Sequence, residues 1–116
     1  MTTTQRFKAL RLLAGEPAPI RQLCEMTPGE LSPGDVLIEV AYSSINYKDA
    51  LAATGAGQII RRFPCVGGID LCGEVVDSAD ARFKPGDKVI ATSYDIGVAH
   101  HGGYAEYARV PAGWVV

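Results

Sequence analysis

The sequence predicts a mainly β domain, a barrel or sandwich with little helix. Two observations carry this. Short apolar or alternating runs recur at close spacing, and turns containing proline and glycine separate them. A single stretch, after Asn46, has the chemistry of a short helix.

Residues 1–6 are polar and read as a flexible end. Phe7 to Leu13 alternates at first and is a strand. Gly15-Glu16-Pro17-Ala18-Pro19 turns the chain, because two prolines cannot sustain a ladder. Ile20 to Met26 is a second strand, able to pair with the first. Thr27-Pro28-Gly29 and Ser32-Pro33-Gly34-Asp35 are further turns. Val36 to Ser44 is the clearest strand: Val36, Ile38 and Val40 share one face, Leu37 and Ala41 the other, so burial is expected on one side and in part on the other. Asn46 caps a helix from Tyr47 to about Ala53, with Asp49 near the positive end of its dipole and Gly55 and Gly57 ending it. Gln58 to Arg62 is a loop. Leu71 to Val76 is a strand in which Gly73 allows close backbone approach. Arg82 to Asp87 is a tight turn, Lys88 to Ala91 a strand, Tyr94 to Gly103 a glycine-containing loop, and Tyr104 to Val110 an alternating strand. The chain stops on the apolar run Trp114-Val115-Val116, as expected of a fragment of a longer protein.

With 116 residues there is room for one core. The apolar share is 47% and the net charge −2, with no basic stripe, so nucleic acid is not an expected partner. No apolar run approaches the roughly 20 residues a membrane helix needs. The polar start lacks the apolar segment of a signal peptide, so a cytoplasmic protein is expected. Cys24, Cys65 and Cys72 include no C-x-x-C and are odd in number. They read as small buried hydrophobes, Cys65 with slightly more interest because of its neighbours.

Polar groups gather at two stretches, Ser43 to Leu51 and Phe63 to Gly73, which read as two walls of one pocket. The order Pro33-Gly34-Asp35-Val36, Asn46-Tyr47-Lys48-Asp49, Pro64-x-x-Gly67-Gly68-Ile69-Asp70-x-x-Gly73-x-Val75, Lys84-Pro85-Gly86-Asp87-Lys88-Val89 and Gly102-Gly103-Tyr104-Ala105-Glu106-Tyr107 resembles the N-terminal, GroES-like half of the medium-chain dehydrogenases/reductases. Ser43 to Leu51, with Ile59-Ile60-Arg61-Arg62-Phe63-Pro64 after it, resembles the YhdH/YhfP-type quinone oxidoreductases, the branch that includes acrylyl-CoA reductase. The resemblance covers about Phe7 to Val116. Each motif alone is weak; their order and spacing together are fairly specific.

The resemblance implies a GroES-like, partly open β-barrel with short helices over residues 7–116, forming one side of an active-site cleft. It also implies NADPH, held mostly by a Rossmann domain that follows in sequence, and a full-length protein that is often a homodimer. No G-x-G-x-x-G that follows a strand and opens a helix occurs here, so the Rossmann half is expected to be absent from this chain. The implied function is reduction of a quinone or of an α,β-unsaturated carbonyl or acyl-CoA. The alternatives are a stand-alone β-barrel binding or assembly module and, disfavoured, a zinc alcohol dehydrogenase domain. Zinc-dependent relatives carry a cysteine ligand before the short helix and Gly-His-Glu after the next loop. Asn46, Ile69 and Asp70 stand at those positions, and an amide and an isobutyl group do not ligate zinc, so no metal is expected. His100 and His101 are adjacent and, in extended chain, point to opposite sides, which makes a poor chelate; they read as loop residues, one of which can line the cleft.

Tyr47 is the cofactor-side candidate. The family's tyrosine at this place lies against NADPH, and a flat ring with a hydroxyl suits a nicotinamide edge. Its duller role is packing on the barrel. Asn46, Lys48 and Asp49 are the catalytic candidates: Asn46 to orient ligand or simply cap the helix, Lys48 and Asp49 to stabilise enolate charge or relay a proton, or merely to form a solvated helix face. Arg61, Arg62 and Asp70 are the substrate-side candidates. The arginines suit acidic groups such as the phosphates of a CoA ester, unless they are simply solvated, and Asp70 suits an acceptor that fixes its own loop.

Overall fold

A computed structural model describes residues 5–116; the first four residues of the predicted flexible end lie outside the described residues. Gln5 and Arg6 are exposed and lead into β1 (Phe7–Leu13). β2 (Ile20–Met26) pairs antiparallel with β1 from Phe7↔Met26 to Leu13↔Ile20. β3 (Val36–Tyr42), the helix α1 (Tyr47–Thr54), β4 (Cys65–Val66), β5 (Asp70–Ser78), β6 (Lys88–Thr92) and β7 (Tyr107–Val110) follow, with short 3-10 turns at Pro28–Glu30 and Ala112–Trp114. They form a three-stranded sheet, β2-β1-β4, and a four-stranded sheet, β6-β5-β3-β7.

β3 organises the core because both its faces are used. Val36 and Ile38 are fully buried among Leu71, Val75, Val89, Ile96, Ala108 and Val110. Leu37, one residue out of phase, packs with Phe7, Ala9, Met26, Leu31 and Val66 in a second cluster. Each such aliphatic side chain contributes about 1.5–3 kcal/mol on burial. The expected partial burial of the second face holds for Leu37, whereas Ala41 is exposed.

The expected strand over 104–110 is divided. Residues 104–106 pair with β1 through Leu10 N–H to Tyr104 O (2.7 Å) and Glu106 N–H to Lys8 O (3.0 Å), and β7 then pairs with β3. This change of partner joins the two sheets without closing them into a full barrel. β4, a two-residue strand on β1, has no signature in the sequence. β3 ends at Tyr42 rather than Ser44, because Ser43 and Ser44 bond to Asp70 instead of continuing the ladder.

Of the cysteines, Cys65 is buried as expected, while Cys24 and Cys72 are only half-buried. Burial pushes the Cys65 thiol up to about 12. No helix among the described residues is long and apolar enough to cross a membrane.

Candidate functional site

Three of the residues singled out in the sequence come together where α1 begins against the start of β5. Asn46 caps the helix in a capping box with Asp49 at the third position. Asp49 is buried, at 6% exposure, and its Oδ2 accepts the Asn46 N–H at 2.9 Å. Its Oδ1 accepts the N–H of Ile69 from the opposite wall at 3.0 Å. The Asn46 amide nitrogen lies 3.0 Å from Asp49 Oδ2, 3.1 Å from Asp70 Oδ2 and 3.1 Å from Ser44 Oγ. Asp70 also accepts the Ser44 backbone N–H (3.1 Å), and the Ser44 hydroxyl lies 2.8 and 2.7 Å from its two oxygens. One neutral amide thus bridges two carboxylates. Among the described residues neither carboxylate has an ion-pair partner, so backbone N–H groups, the Asn46 amide and the Ser44 hydroxyl are what compensate them.

Tyr104, which the sequence reading placed in a strand and in a motif but not among the site residues, closes this arrangement. Its hydroxyl donates to Ser44 O at 2.8 Å. Its ring covers Gly67 and Gly68, where a Cβ would lie 3.2 and 2.8 Å from ring atoms. Gly68 has φ +94°, a conformation that favours glycine. Burial first, then the neighbouring Asp49 carboxylate, push the Tyr104 phenol up to about 12. Two glycine pairs, Gly67-Gly68 and Gly102-Gly103, the second directly followed by Tyr104, were the available signal.

Tyr47 and Lys48 project from the first turn of α1 into solvent, Tyr47 with 81% exposure. Ile45, on the other side of Asn46, is 87% exposed. A cleft of about 270 Å³ runs beside the Asp70 carboxylate, lined also by Tyr42, Ser44, Cys72, Ile90 and Thr92; Asp49 does not line it. Arg61 and Arg62 do not line it. Arg61 pairs with Asp95, and its N–H donates to Val98 O at 3.0 Å; Arg62 is exposed in the same loop.

The donor set does not suit zinc. The Asn46 amide nitrogen is turned toward two carboxylates, Ile69 offers no donor atom, and no three His, Cys, Asp or Glu side chains cluster for a metal among the described residues. His100 and His101 diverge: His100 Nε2 meets Arg109 O at 2.6 Å, while His101 Nδ1 accepts the Val66 N–H at 2.9 Å. Neither lines the cleft. For a nicotinamide the fit is different. Tyr47 offers an open aromatic face beside the network, and the described residues supply no helix entered through a glycine-rich phosphate loop. This side of the site suits the reacting end of such a cofactor and not its phosphates.

The alcohol dehydrogenase GroES-like domain matches residues 32–116. The chain belongs to that family. The chain is 44% identical to the probable acrylyl-CoA reductase AcuI of Escherichia coli over 110 residues, 95% of this chain and 34% of that protein. It is 55% identical to the putative quinone oxidoreductase YhfP of Bacillus subtilis over 87 residues, 75% of this chain and 26% of that protein. The crystal structure of the yhdH oxidoreductase from Salmonella enterica in complex with NADP superposes with a TM-score of 0.90 at 44% identity, over 94% of this chain and 34% of that one. This GroES-like domain therefore spans between a quarter and about a third of the length of these relatives. It matches the N-terminal domain of YhdH/YhfP/AcuI-type oxidoreductases.

Proposed function

We propose that this domain is the substrate-side half of a cytoplasmic, zinc-independent, NADPH-dependent reductase acting on a quinone or an α,β-unsaturated carbonyl or acyl-CoA. The observation that carries the reading is the Asn46 bridge between Asp49 and Asp70, in a chain 44% identical to the probable acrylyl-CoA reductase AcuI of Escherichia coli. NADPH, when bound, supplies a hydride. The remaining chemistry falls to this chain and to a Rossmann half of the same polypeptide, which in full length forms a homodimer.

Tyr47 presents its ring to the nicotinamide edge. Asn46 is held rigid by two carboxylates, so the start of α1 keeps its position when a ligand arrives. Lys48, exposed on the first turn, stabilises the negative charge that gathers on the acceptor's carbonyl oxygen, or passes a proton to the product. Asp49 and Asp70 serve this chemistry by fixing the two walls together. Arg61 and Arg62 lie at the rim, available to the phosphates of a CoA ester, Arg61 only by exchanging its partner Asp95.

In the polypeptide that joins this domain to its cofactor-binding remainder, Tyr47→Ala should raise the KM for NADPH, and Lys48→Met should lower kcat by about 10- to 100-fold. Unchanged kinetics in both variants would remove the assignment.

A further inference from the structure

We propose that His101 is a pH-sensitive latch on the glycine wall of the site, closed when its imidazole is neutral and released on protonation. The wall is a narrow backbone ladder. Gly102 N–H donates to Val66 O (2.9 Å), Tyr104 N–H to Gly67 O (3.0 Å) and Gly103 N–H to Gly68 O (3.0 Å). The next N–H along, that of Ile69, is the one Asp49 receives. At the open end of this ladder, the Val66 N–H has a side-chain acceptor, His101 Nδ1, at 2.9 Å. The other end of the His101 residue is pinned as well, its backbone N–H donating to Ser32 Oγ at 2.9 Å.

An N–H can be accepted only by a ring nitrogen without a proton, so this geometry requires the neutral tautomer with hydrogen on Nε2. A proton on Nδ1 would face the Val66 N–H donor to donor, and Val66 is fully buried, so no water replaces the lost acceptor. His100 does not behave alike. Its Nε2 donates to Arg109 O, and that bond survives a second proton on Nδ1. The groups facing His101 are Arg11 of β1 and the neighbouring His100, which oppose its protonation, and Glu30 of the first 3-10 turn, which favours it. Burial is the largest influence and holds the imidazole below the ordinary 6.5. The latch is therefore fully closed at neutral pH and opens only as pH falls below the ordinary histidine range. It stands whether or not the reductase reading does.

Nuclear magnetic resonance on the labelled protein tests it by following the His101 ring protons and the Val66 amide protection factor together, from about pH 8 to about pH 5. Val66 protection should fall by about tenfold, the equivalent of one lost hydrogen bond, with the same midpoint as the His101 titration, while the Val75 amide, bonded to Asp87 O, keeps its protection. His101→Asn retains an acceptor that does not titrate, and should keep Val66 protected across the range. Flat Val66 protection through the His101 titration, or the same fall in His101→Asn, overturns the proposal. Should His101→Asn not fold, the two midpoints in the unaltered protein decide, and separate midpoints overturn it.

Discussion

Replacing Asp49 by asparagine preserves the shape of the side chain while removing its charge and one of its two acceptor oxygens. In the native structure those oxygens receive three N–H groups: Asn46 backbone at 2.9 Å, Asn46 amide at 3.0 Å and Ile69 backbone at 3.0 Å. Asparagine can satisfy one side and must present an amide to the donors on the other. Hydrogen bonds to charged groups contribute about 1.5–3 kcal/mol each, and loss of the carboxylate near the N-terminus of α1 removes a further ~0.3–1 kcal/mol. The expected cost is about 2–4 kcal/mol, a large share of the 5–15 kcal/mol that is typical of a domain. Equilibrium urea unfolding reads this as a lowered midpoint at unchanged slope. Lys48→Met, one residue away on the exposed side, is the control and should change stability by no more than about 0.5 kcal/mol. An Asp49→Asn cost no larger than that of the control would refute the view that Asp49 ties the two walls together.

Thiol labelling near pH 8 should modify Cys24 and Cys72 before Cys65, whose thiol is buried and pushed up to about 12; early labelling of Cys65 would contradict its burial. Gly103→Ala places a Cβ 2.3 Å from Asp70 O, which forces the start of β5 to move, and should lower stability by about 1–3 kcal/mol or more in the same unfolding assay. Ultraviolet titration of the tyrosines should lose its latest-ionising component in Tyr104→Phe, since that phenol is pushed up to about 12. Both histidines have pKa values lowered mainly by burial. The folded state therefore favours neutral imidazole, the stability they contribute is complete above the ordinary 6.5 and declines as pH falls through the window down to their folded values, and thermal unfolding at about pH 7.5 and about pH 5.5 checks this.

The strand pattern was legible wherever alternation met a buried face. Val36, Leu37 and Ile38 spell out a strand used on both sides, and the helix after Asn46 carries its own cap and its own stop at Gly55, whose φ is +77°. Contacts between distant segments were not legible. Tyr104 reaches Ser44 across 60 residues, and the partner change at Ala105 depends on β1 and β3 lying within reach of one segment. Lys48 and Asp49 carried the same pair of readings in sequence, an enolate-stabilising or proton-relaying role or a solvated helix face, and only Asp49 was placed against the helix dipole. The structure separates them because successive helical residues diverge, leaving Lys48 in solvent and turning Asp49 onto the Ile69 N–H. The absence of a zinc donor at position 46 was readable from residue type; that Asn46 spends its amide on two carboxylates required coordinates.

The central claim is that this domain supplies one wall of a reductase site and that the cofactor-binding wall lies elsewhere in the polypeptide. Oxidation of NADPH, followed with a quinone and with acrylyl-CoA as acceptors, tests it directly by comparing residues 1–116 with the same domain joined to its cofactor-binding remainder. The account predicts turnover of at least one acceptor by the joined protein and little or none by residues 1–116. Comparable turnover by residues 1–116 alone, or none by the joined protein with either acceptor, would contradict it.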